Sequence, residues 1–215
     1  MNLQSKLQNK LQAGLNVMNL QIDVEKQAKL ISYLLLIEKW NKVHNLTAIR
    51  DPLEMVTLHL LDSLSVLPHV QALKAKSLLD VGSGAGLPSI PLAICLPELQ
   101  VTAIDSVQKK TSFMRQVKGE LGLSNFYVES GRVEVLKNER KFDVIISRAF
   151  SEIGLFIKLT KQLLEENGVW LAMKGLAPLQ EFESADFKSL NIKLSKIEVL
   201  KVAGLEAERH LVYLR

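Results

Sequence analysis

A glycine-rich turn between a strand and a helix is the feature that most limits how this chain can fold. Residues 77–81 (SLLDV) have the composition of a short buried strand, and residues 82–87 (GSGAGL) follow it directly. Residues 88–94 (PSIPLAI) then predict a helix with proline in its first turn. Glycine permits a tight turn and lets a ligand approach the backbone where a side chain would block it. This order of elements is typical of a nucleotide-binding α/β fold.

The rest of the chain predicts an α/β sheet domain. Strands are expected at 77–81, 101–105, 126–129, 142–147 and 168–173. Helical patterns lie between them, and this alternation indicates a mostly parallel, twisted sheet with helices on both faces. Two further strands, within 192–202 and 209–214, are joined by a segment short enough for a hairpin. An antiparallel strand is therefore expected near the C-terminal edge of the sheet.

Helices are expected to precede the sheet. Residues 1–70 predict a helical extension packed on a sheet domain of residues 71–215. Leucine recurs every four residues in the first fifteen positions, which predicts one amphipathic helix, and a second is expected over about 23–43. Asp51-Pro52 is typical of the start of a third helix, which is expected to end near Pro68.

Composition limits the environment and the partners. No apolar run is long enough to cross a bilayer and the N-terminus lacks a signal-peptide pattern, so neither membrane association nor secretion is expected. The single cysteine, Cys95, rules out an internal disulfide and suits the cytoplasm; its apolar helix predicts a buried, inert thiol. The net charge of +4 favours an anionic partner such as a nucleic acid. A monomer without a metal site is expected.

The glycine spacing favours a ligand other than a dinucleotide. A dinucleotide fingerprint is Gly-x-Gly-x-x-Gly, but here Gly82, Gly84 and Gly86 alternate, and Leu87 stands where the third glycine belongs. Prolines in the following helix leave few of the N–H groups on which pyrophosphate binding relies. The loop therefore suits a ligand without phosphate, such as S-adenosylmethionine.

Two acidic residues complete this pattern. Asp80, directly before the first glycine, is unfavourable beside pyrophosphate but acceptable beside a cationic ligand. Asp105 ends the second strand, 23 positions after Gly82, where a carboxylate can accept hydrogen bonds from both ribose hydroxyls. Two alternatives stay open: the loop is a glycine turn without a ligand, and Asp105 is a helix N-cap. Together the two features predict a Rossmann-like S-adenosylmethionine-dependent methyltransferase.

The residues at the end of the fourth predicted strand help to show which kind of atom accepts the methyl group. Methyltransferases of exocyclic amines usually carry an Asn/Asp-Pro-Pro-aromatic element there, whose polar groups hold the amine. In this chain the strand ends in residues 147–150 (SRAF), without Pro-Pro. The acceptor is therefore not expected to be an exocyclic amine.

The chain resembles the bacterial small-subunit rRNA guanine-N7 methyltransferases, also called the glucose-inhibited division protein B family. The resemblance covers nearly the whole chain in order, and residues 45–47 (NLT) and 147–150 (SRAF) are not general methyltransferase features. The other matching segments are 40–42, 48–52, 59–63, 80–88, 105–106, 109–110, 113–117, 132–134, 174–175 and 208–212. The chain departs from the family pattern at Ser89, usually glycine, and at His44, usually tyrosine; for His44 a packing difference is favoured.

The resemblance implies methylation at N7 of one guanosine in the 530 loop of 16S rRNA, position 527, with 16S rRNA or the small ribosomal subunit as partner. Val133 and Glu134 would lie by the cofactor's adenine, and Arg148 near its methionine end and the target base. The residues expected to bind S-adenosylmethionine are Gly82, Gly84, Gly86, Leu87, Asp105, Val133, Glu134 and Arg148.

The implied chemistry needs positioning more than acid–base catalysis. Guanine N7 carries an in-plane lone pair and no proton, so in-line attack on a sulfonium methyl needs no general base, and none is assigned. N7 lies in the deep groove of A-form RNA, which side chains cannot enter. The target guanosine is therefore expected in a loop, or unstacked before reaction.

Basic side chains are expected to hold the RNA. Arg148 and Lys174 are the candidates for positioning the substrate. The residues expected to bind RNA are Lys109, Lys110, Arg115, Arg132, Lys174 and Arg209. For the helix lysines the alternative is a solvated face, and for Arg148 it is a structural ion pair with Asp105 or Glu134. For His59 and His210, taken singly, a core position is favoured over an RNA contact, which stays open.

Three other functions stay open. A methyltransferase acting on a small molecule or a protein is the enzymatic alternative, although the placement of cations disfavours it. An RNA-binding or assembly factor without turnover is the non-enzymatic one, although such a protein has no need of the cofactor loop. An NAD(P)-dependent oxidoreductase is disfavoured by Leu87.

Overall fold

A seven-stranded sheet forms the centre of the protein in the computed structural model, which describes residues 2–136, 141–150, 152–183 and 185–215. The strands are β1 (Ser77–Val81), β2 (Gln100–Asp105), β3 (Phe126–Ser130), β4 (Phe142–Ser147), β5 (Leu164–Lys174), β6 (Leu194–Val199) and β7 (His210–Leu214). They lie in the order β3-β2-β1-β4-β5-β7-β6. The pairs among β1 to β5 are parallel, and β7 runs antiparallel to both β5 and β6. The predicted mostly parallel sheet, with an antiparallel strand near its C-terminal edge, is confirmed.

Helices precede the sheet and alternate with its strands. Before the sheet lie α1 (Leu3–Val17), α2 (Val24–His44), α3 (Pro52–Met55), a π-helical segment (Val56–Leu61), α4 (Asp62–Leu64) and α5 (Leu67–Leu73). Within the sheet part lie α6 (Ser89–Cys95), α7 (Gln108–Leu121), α8 (Ile153–Thr160), α9 (Leu179–Glu183) and α10 (Ala185–Lys188), with 3-10 turns at Val133–Val135 and Lys161–Leu163. No helix in these described ranges is both long and apolar enough to cross a membrane.

Capping explains where the N-terminal helices begin. Asp51 Oδ1 accepts a hydrogen bond from Leu53 N–H at 2.9 Å, and Pro52 occupies the first turn of α3, as predicted. The helical run that starts at Pro52 ends at Leu64, as expected near Pro68, and Pro68 itself lies in the first turn of the next helix, α5. Proline lacks an N–H, which a first turn does not need. Residue 70 lies inside α5, which ends at Leu73. The division into a helical extension of residues 1–70 and a sheet domain of residues 71–215 stays a prediction.

The buried apolar side chains form two clusters, one on each face of the sheet. Neighbouring strand residues point to opposite faces, so Leu78 belongs to one cluster and Leu79 to the other. The cluster of Leu78 also contains Leu7 and Leu11 of α1, so the N-terminal helices cover the same face as α6 and α7. This packing places the segment between α2 and α5 over the carboxyl end of β1.

Candidate functional site

The glycine loop follows β1 at the carboxyl edge of the sheet. Gly82, Gly84 and Gly86 have φ values of 72°, 63° and 92°, a region that L side chains rarely adopt. A Cβ atom at Gly82 would also lie 2.7 Å from the Cβ atom of Ala149, which leaves no space for a side chain. The sequence thus forms a turn whose backbone is open to a ligand.

Two side chains from other elements anchor this loop. Asp105 Oδ2 accepts a hydrogen bond from Gly84 N–H at 2.9 Å, and its Oδ1 accepts one from Val107 N–H at 2.8 Å. The hydroxyl of Tyr33, on α2, donates to the carbonyl oxygen of Ala85 at 2.7 Å. A carboxylate offers about four lone-pair positions, so Asp105 keeps the capacity for two hydroxyl donors. The ribose contact of Asp105 stays a prediction.

Asp80 lies buried below the loop and does not line the cavity above it. Its Oδ2 accepts a hydrogen bond from Ser89 N–H at 3.2 Å, while Oδ1 has no hydrogen-bond partner in the described part of the chain. Burial raises the pKa of Asp80 to about 7, against the opposing effect of this hydrogen bond. The sequence predicts Asp80 near a cationic ligand, but the structure surrounds its carboxyl group with protein.

Two adjoining cavities open at this edge of the sheet. The loop cavity, of about 220 Å³, is lined by Leu46, Thr47, His59, Gly82, Ser83, Gly84, Ala85, Leu87, Arg148 and Ala149. The cation cavity, of about 440 Å³, is lined by Ile49, Leu58, His59, Asp62, Arg148, Met173, Lys174, Gly175 and Arg209. His59 and Arg148 line both cavities. Other cavities lie at the amino ends of the strands, away from the edge where α/β sheets bind ligands.

Asp62 holds two arginines at the cation cavity. Its Oδ2 accepts a hydrogen bond from Arg148 Nη1 at 2.9 Å, and its Oδ1 accepts one from Arg209 Nε at 2.8 Å. The Asp62 side chain is 3% exposed, whereas those of Arg148 and Arg209 are 29% and 25% exposed. The alternative that pairs Arg148 with Asp105 or Glu134 is wrong, since Asp62 takes that place.

Lys174, at the end of β5, is the third cation of this cavity. Its ammonium group donates to the carbonyl oxygen of Phe150 and to Glu181 Oε1, each at 3.3 Å. Glu181 Oε2 in turn accepts a hydrogen bond from Ile153 N–H at 2.6 Å. Arg148, Lys174 and Arg209, which are more than 25 residues apart in sequence, therefore meet in one cavity.

The other predicted RNA-binding residues lie outside both cavities, around the ends of β2 and β3. Lys110 Nζ lies 3.7 Å from Asp105 Oδ2, and Arg115 donates to Ser130 Oγ at 2.9 Å. Lys109 and Arg132 are exposed. The structure therefore separates the predicted cations into two groups. Arg148, Lys174 and Arg209 line the cation cavity, whereas Lys110 lies beside Asp105, whose carboxylate holds the glycine loop.

Four predicted cofactor residues lie outside the lining of the loop cavity: Gly86, Asp105, Val133 and Glu134. A Cβ atom at Gly86 would collide with the Ile90 side chain, so this glycine serves the packing of α6 against the loop. Val133 is buried and Glu134 is exposed, both in the 3-10 turn after β3. Their contact with an adenine stays a prediction.

Sequence reasoning missed His59 and Thr47. His59 is 5% exposed, as a core residue would be, yet it lines both cavities. Its Nε2 lies 3.0 Å from Thr47 Oγ1. Burial and the nearby Arg148 lower the pKa of His59 to about 4. The π-helical turn that carries His59 has no signature in the sequence, although the NLT motif marked Thr47. The core interpretation of His210 agrees with its Nδ1, which lies 2.7 Å from the carbonyl oxygen of Gly175.

The two departures from the family pattern are accommodated by packing. His44 lies against Trp40, with ring centroids 4.8 Å apart, and Ser89 is fully buried behind the loop. Cys95 is buried as expected, and burial raises the pKa of its thiol to about 12, which makes it inert. Among the residues that the structure describes, no group of three or more His, Cys, Asp or Glu is placed to hold a metal ion.

Two solved structures that share this fold are named as O-methyltransferases. An O-methyltransferase from Bacillus cereus in complex with SAH has a TM-score of 0.61 and 16% identity, covering 97% of this chain and 98% of that one. An O-methyltransferase of Klebsiella pneumoniae, described as putative in its own name, has a TM-score of 0.61 and 14% identity, covering 99% and 98%. The predicted Rossmann-like fold of S-adenosylmethionine-dependent methyltransferases is confirmed.

Sequence comparisons identify the family. "Ribosomal RNA small subunit methyltransferase G" of Methylobacillus flagellatus is 59% identical over 208 residues, covering 97% of this chain and 98% of that protein. The protein of that name from Neisseria meningitidis serogroup C is 46% identical over 206 residues, covering 96% and 97%. The family model described as rRNA small subunit methyltransferase G matches residues 26–212. The chain therefore belongs to the GidB family of rRNA small subunit methyltransferases G.

Proposed function

We propose that this protein transfers a methyl group from S-adenosylmethionine to N7 of one guanosine in the 530 loop of 16S rRNA. The observation that carries the proposal is the wall between the two cavities: His59 and Arg148 line both. A methyl donor in the loop cavity and a base in the cation cavity would meet at this wall. The family supports rRNA as the substrate class.

The residues of the loop cavity fit this cofactor. S-adenosylmethionine supplies an electrophilic methyl group on a sulfonium when it is bound. Gly82 offers backbone without a side chain, and its positive φ holds the turn open. Asp105, outside the lining of this cavity, anchors the loop and retains lone pairs for ribose hydroxyls. Arg148, at the shared wall, is placed for a carboxylate at the methionine end of the ligand.

The residues of the cation cavity fit a nucleotide of RNA. Arg148, Lys174 and Arg209 provide positive charge for phosphate oxygens, while Ile49 and Met173 provide apolar surface for a planar base. Asp62 accepts from Nη1 of Arg148 and from Nε of Arg209, so each guanidinium keeps further N–H donors for phosphate oxygens. These side chains bind and orient, and attack by the lone pair of N7 needs no base from the protein.

The acceptor must be accessible at its N7 edge. In A-form RNA that edge faces a deep, narrow groove that protein side chains cannot read. A guanosine in a loop, or one unstacked on binding, meets this requirement. We infer that the protein acts as a cytoplasmic monomer on 16S rRNA or on the small ribosomal subunit.

The test is a methyl-transfer assay on small ribosomal subunits from a strain that lacks the enzyme. We expect labelled methyl groups in 16S rRNA and one new site of borohydride–aniline cleavage, which marks 7-methylguanosine. Transfer to another nitrogen would leave the RNA uncleaved and would refute the N7 assignment. Transfer to protein or to a small molecule alone would favour the enzymatic alternative, and RNA binding without transfer would favour an assembly factor.

A further inference from the structure

Residues 45–50 (NLTAIR), between α2 and α3, lie over both cavities, and we name them the roof segment. Leu46 and Thr47 line the loop cavity, whereas Ile49 lines the cation cavity. The segment contains the NLT motif that distinguishes this chain from methyltransferases in general. Its position places it directly beside the path from donor to acceptor.

A network of hydrogen bonds around Asn41 holds the roof segment in one conformation. Asn41, 3% exposed, accepts from Thr47 N–H and donates to the carbonyl oxygen of Ile49, each at 3.0 Å. Ile49 N–H donates to Thr47 Oγ1 at 3.2 Å, and Arg50 Nη1 donates to the carbonyl oxygen of Asn41 at 3.0 Å. These hydrogen bonds pair the part-buried backbone groups of Thr47 and Ile49 with Asn41, which ties the roof segment to α2.

His59 contacts the roof segment through the side chain of Thr47, in addition to the contacts that Asn41 makes. Its Nε2 lies 3.0 Å from Thr47 Oγ1, so Thr47 joins the roof segment to the π-helical turn. Turns of this type occur frequently at functional sites. Since His59 lines both cavities and Thr47 lines one, their hydrogen bond lies at the wall between them.

The imidazole of His59 is neutral at physiological pH. Burial and Arg148 lower its pKa to about 4, although the carbonyl of Leu58 and the carboxylate of Asp62 act in the opposite direction. Lys174 and Arg209 add positive charge to the same cavity. Arg148 already places one positive charge at this wall. A charged imidazolium would add a second, which would repel a sulfonium on one side and a guanine gaining positive charge on the other. A neutral ring repels neither.

We propose that Thr47 and His59 form a positioning pair, which sets the separation and alignment of the methyl donor and the target base. The inference rests on the proposed function. The pair neither accepts nor releases a proton during the reaction, and it leaves the binding of each substrate largely to other residues. Its loss therefore lowers kcat, because in-line transfer requires reacting atoms about 3 to 3.5 Å apart in one line.

The first test compares Thr47→Val with Thr47→Ser. Valine keeps the shape of threonine and removes the hydroxyl, whereas serine keeps the hydroxyl. We expect Thr47→Val to lower kcat on small subunits by about 10- to 100-fold, with less than about threefold change in KM for the subunit and in the dissociation constant of S-adenosylmethionine. Thr47→Ser should lose less than about threefold in kcat.

The second test uses the histidine. Glutamine places an amide near Nε2 and can bond Thr47, whereas phenylalanine fills the space without a polar group. His59→Phe should lose kcat as Thr47→Val does, and His59→Gln should lose less. The ratio of kcat between wild type and His59→Gln should stay constant from pH 5.5 to 8.5. His69→Gln, a half-buried histidine of α5 outside both cavities, is the matched control.

Several results would contradict the proposed positioning role of Thr47 and His59. Unchanged kcat in Thr47→Val, equal losses in the valine and serine variants, weaker cofactor binding with unchanged kcat, or a kcat ratio that varies with pH would each overturn the positioning pair. Thermal melting of every variant separates these results from misfolding, and dissociation constants for S-adenosylhomocysteine report the loop cavity independently of turnover. A wild-type protein that methylates no RNA would refute the proposed function, and the pair with it.

Discussion

Asp62 and Arg148 are 86 positions apart in sequence, yet Asp62 Oδ2 accepts a hydrogen bond from Arg148 Nη1 at 2.9 Å. The other oxygen of the same carboxylate accepts one from Arg209 Nε at 2.8 Å. A buried acid of the N-terminal helices thus orients two arginines that follow β4 and precede β7. The helices before the sheet therefore contribute to the site and do not merely cover the sheet.

Replacing Asp62 with asparagine should destabilise the fold. The buried carboxylate makes two charge-assisted hydrogen bonds, and the uncharged amide can accept only through its single oxygen. We expect the free energy of unfolding to fall by about 2 kcal/mol, measured by urea denaturation. Asp51→Asn, where asparagine caps a helix as well as aspartate does, should change it by less than about 0.5 kcal/mol. Equal changes in the two variants would contradict the role of Asp62.

Arg148→Ala should impair methyl transfer far more than it affects stability. Arg209 continues to pair with Asp62, so no buried charge is left alone, but the wall between the cavities loses its cation. A loss of about 30- to 100-fold in kcat/KM corresponds to about 2 to 3 kcal/mol of transition-state stabilisation. The control is Lys201→Ala, an exposed cation that lines neither cavity. Wild-type activity at equal protein concentration would refute this role.

Alanine substitutions at Gly82 and Gly84 should distinguish the effect of a Cβ collision from the effect of an unfavourable positive φ. Gly82→Ala suffers both, because its Cβ atom would lie 2.7 Å from that of Ala149, whereas Gly84→Ala has positive φ but no atom within 4 Å of the new Cβ. Gly84→Ala should cost about 1 to 2 kcal/mol of stability. Gly82→Ala should weaken S-adenosylmethionine binding beyond detection by calorimetry, and so should Gly82→Asp. Undiminished binding in either Gly82 variant would refute the assignment of the loop.

Asp80 should make stability depend on pH. Its pKa rises from 3.8 to about 7 on folding because of burial, so between these values the folded state holds a proton that the unfolded state has lost. Stability therefore falls as the pH rises from about 4 to 7, by up to about 1.4 kcal/mol per unit. In Asp80→Asn the free energy of unfolding should not show this fall with pH. The difference between the variant and wild type should therefore shift in favour of the variant as the pH rises from about 4 to 7. Parallel pH profiles would show that Asp80 is not protonated in the fold.

The salt dependence of RNA binding should distinguish the two groups of cations. Lys174→Gln, in the cation cavity, should reduce the slope of log K against log[salt] by about 0.7 if the residue neutralises one phosphate of single-stranded RNA. Lys109→Gln, on the exposed start of α7, should leave the slope unchanged if that face is only solvated. Filter binding to a 530-loop fragment from 50 to 200 mM salt measures both. An effect at Lys109 alone would place the RNA around β2 and β3.

Patterns of neighbouring residues predict the secondary structure of this chain better than they predict which distant side chains pair with one another. The strands can be predicted because each is a short apolar run bounded by turn residues, a signal carried by adjacent positions. The start of α3 can be predicted because Asp51 and Pro52 act within a single helical turn. The end of that helix near Pro68 is also confirmed, but the new helix that begins at Leu67 is not predicted, because Pro68 suits either a helix end or a first turn and packing decides between them. The partner of Arg148 was also missed, since it lies in a different part of the chain.

The sequence by itself determined the fold class, the glycine loop and the family, because alternation of strands and helices, glycine spacing and ordered motifs are properties of the linear chain. Only the tertiary structure decided that Asp80 is buried below the loop, that Asp62 joins Arg148 to Arg209, and that Thr47 and His59 meet between two cavities. These relationships depend on helices before the sheet packing over the carboxyl ends of its strands. The side chains concerned lie far apart in the chain, and burial in a common core brings them together.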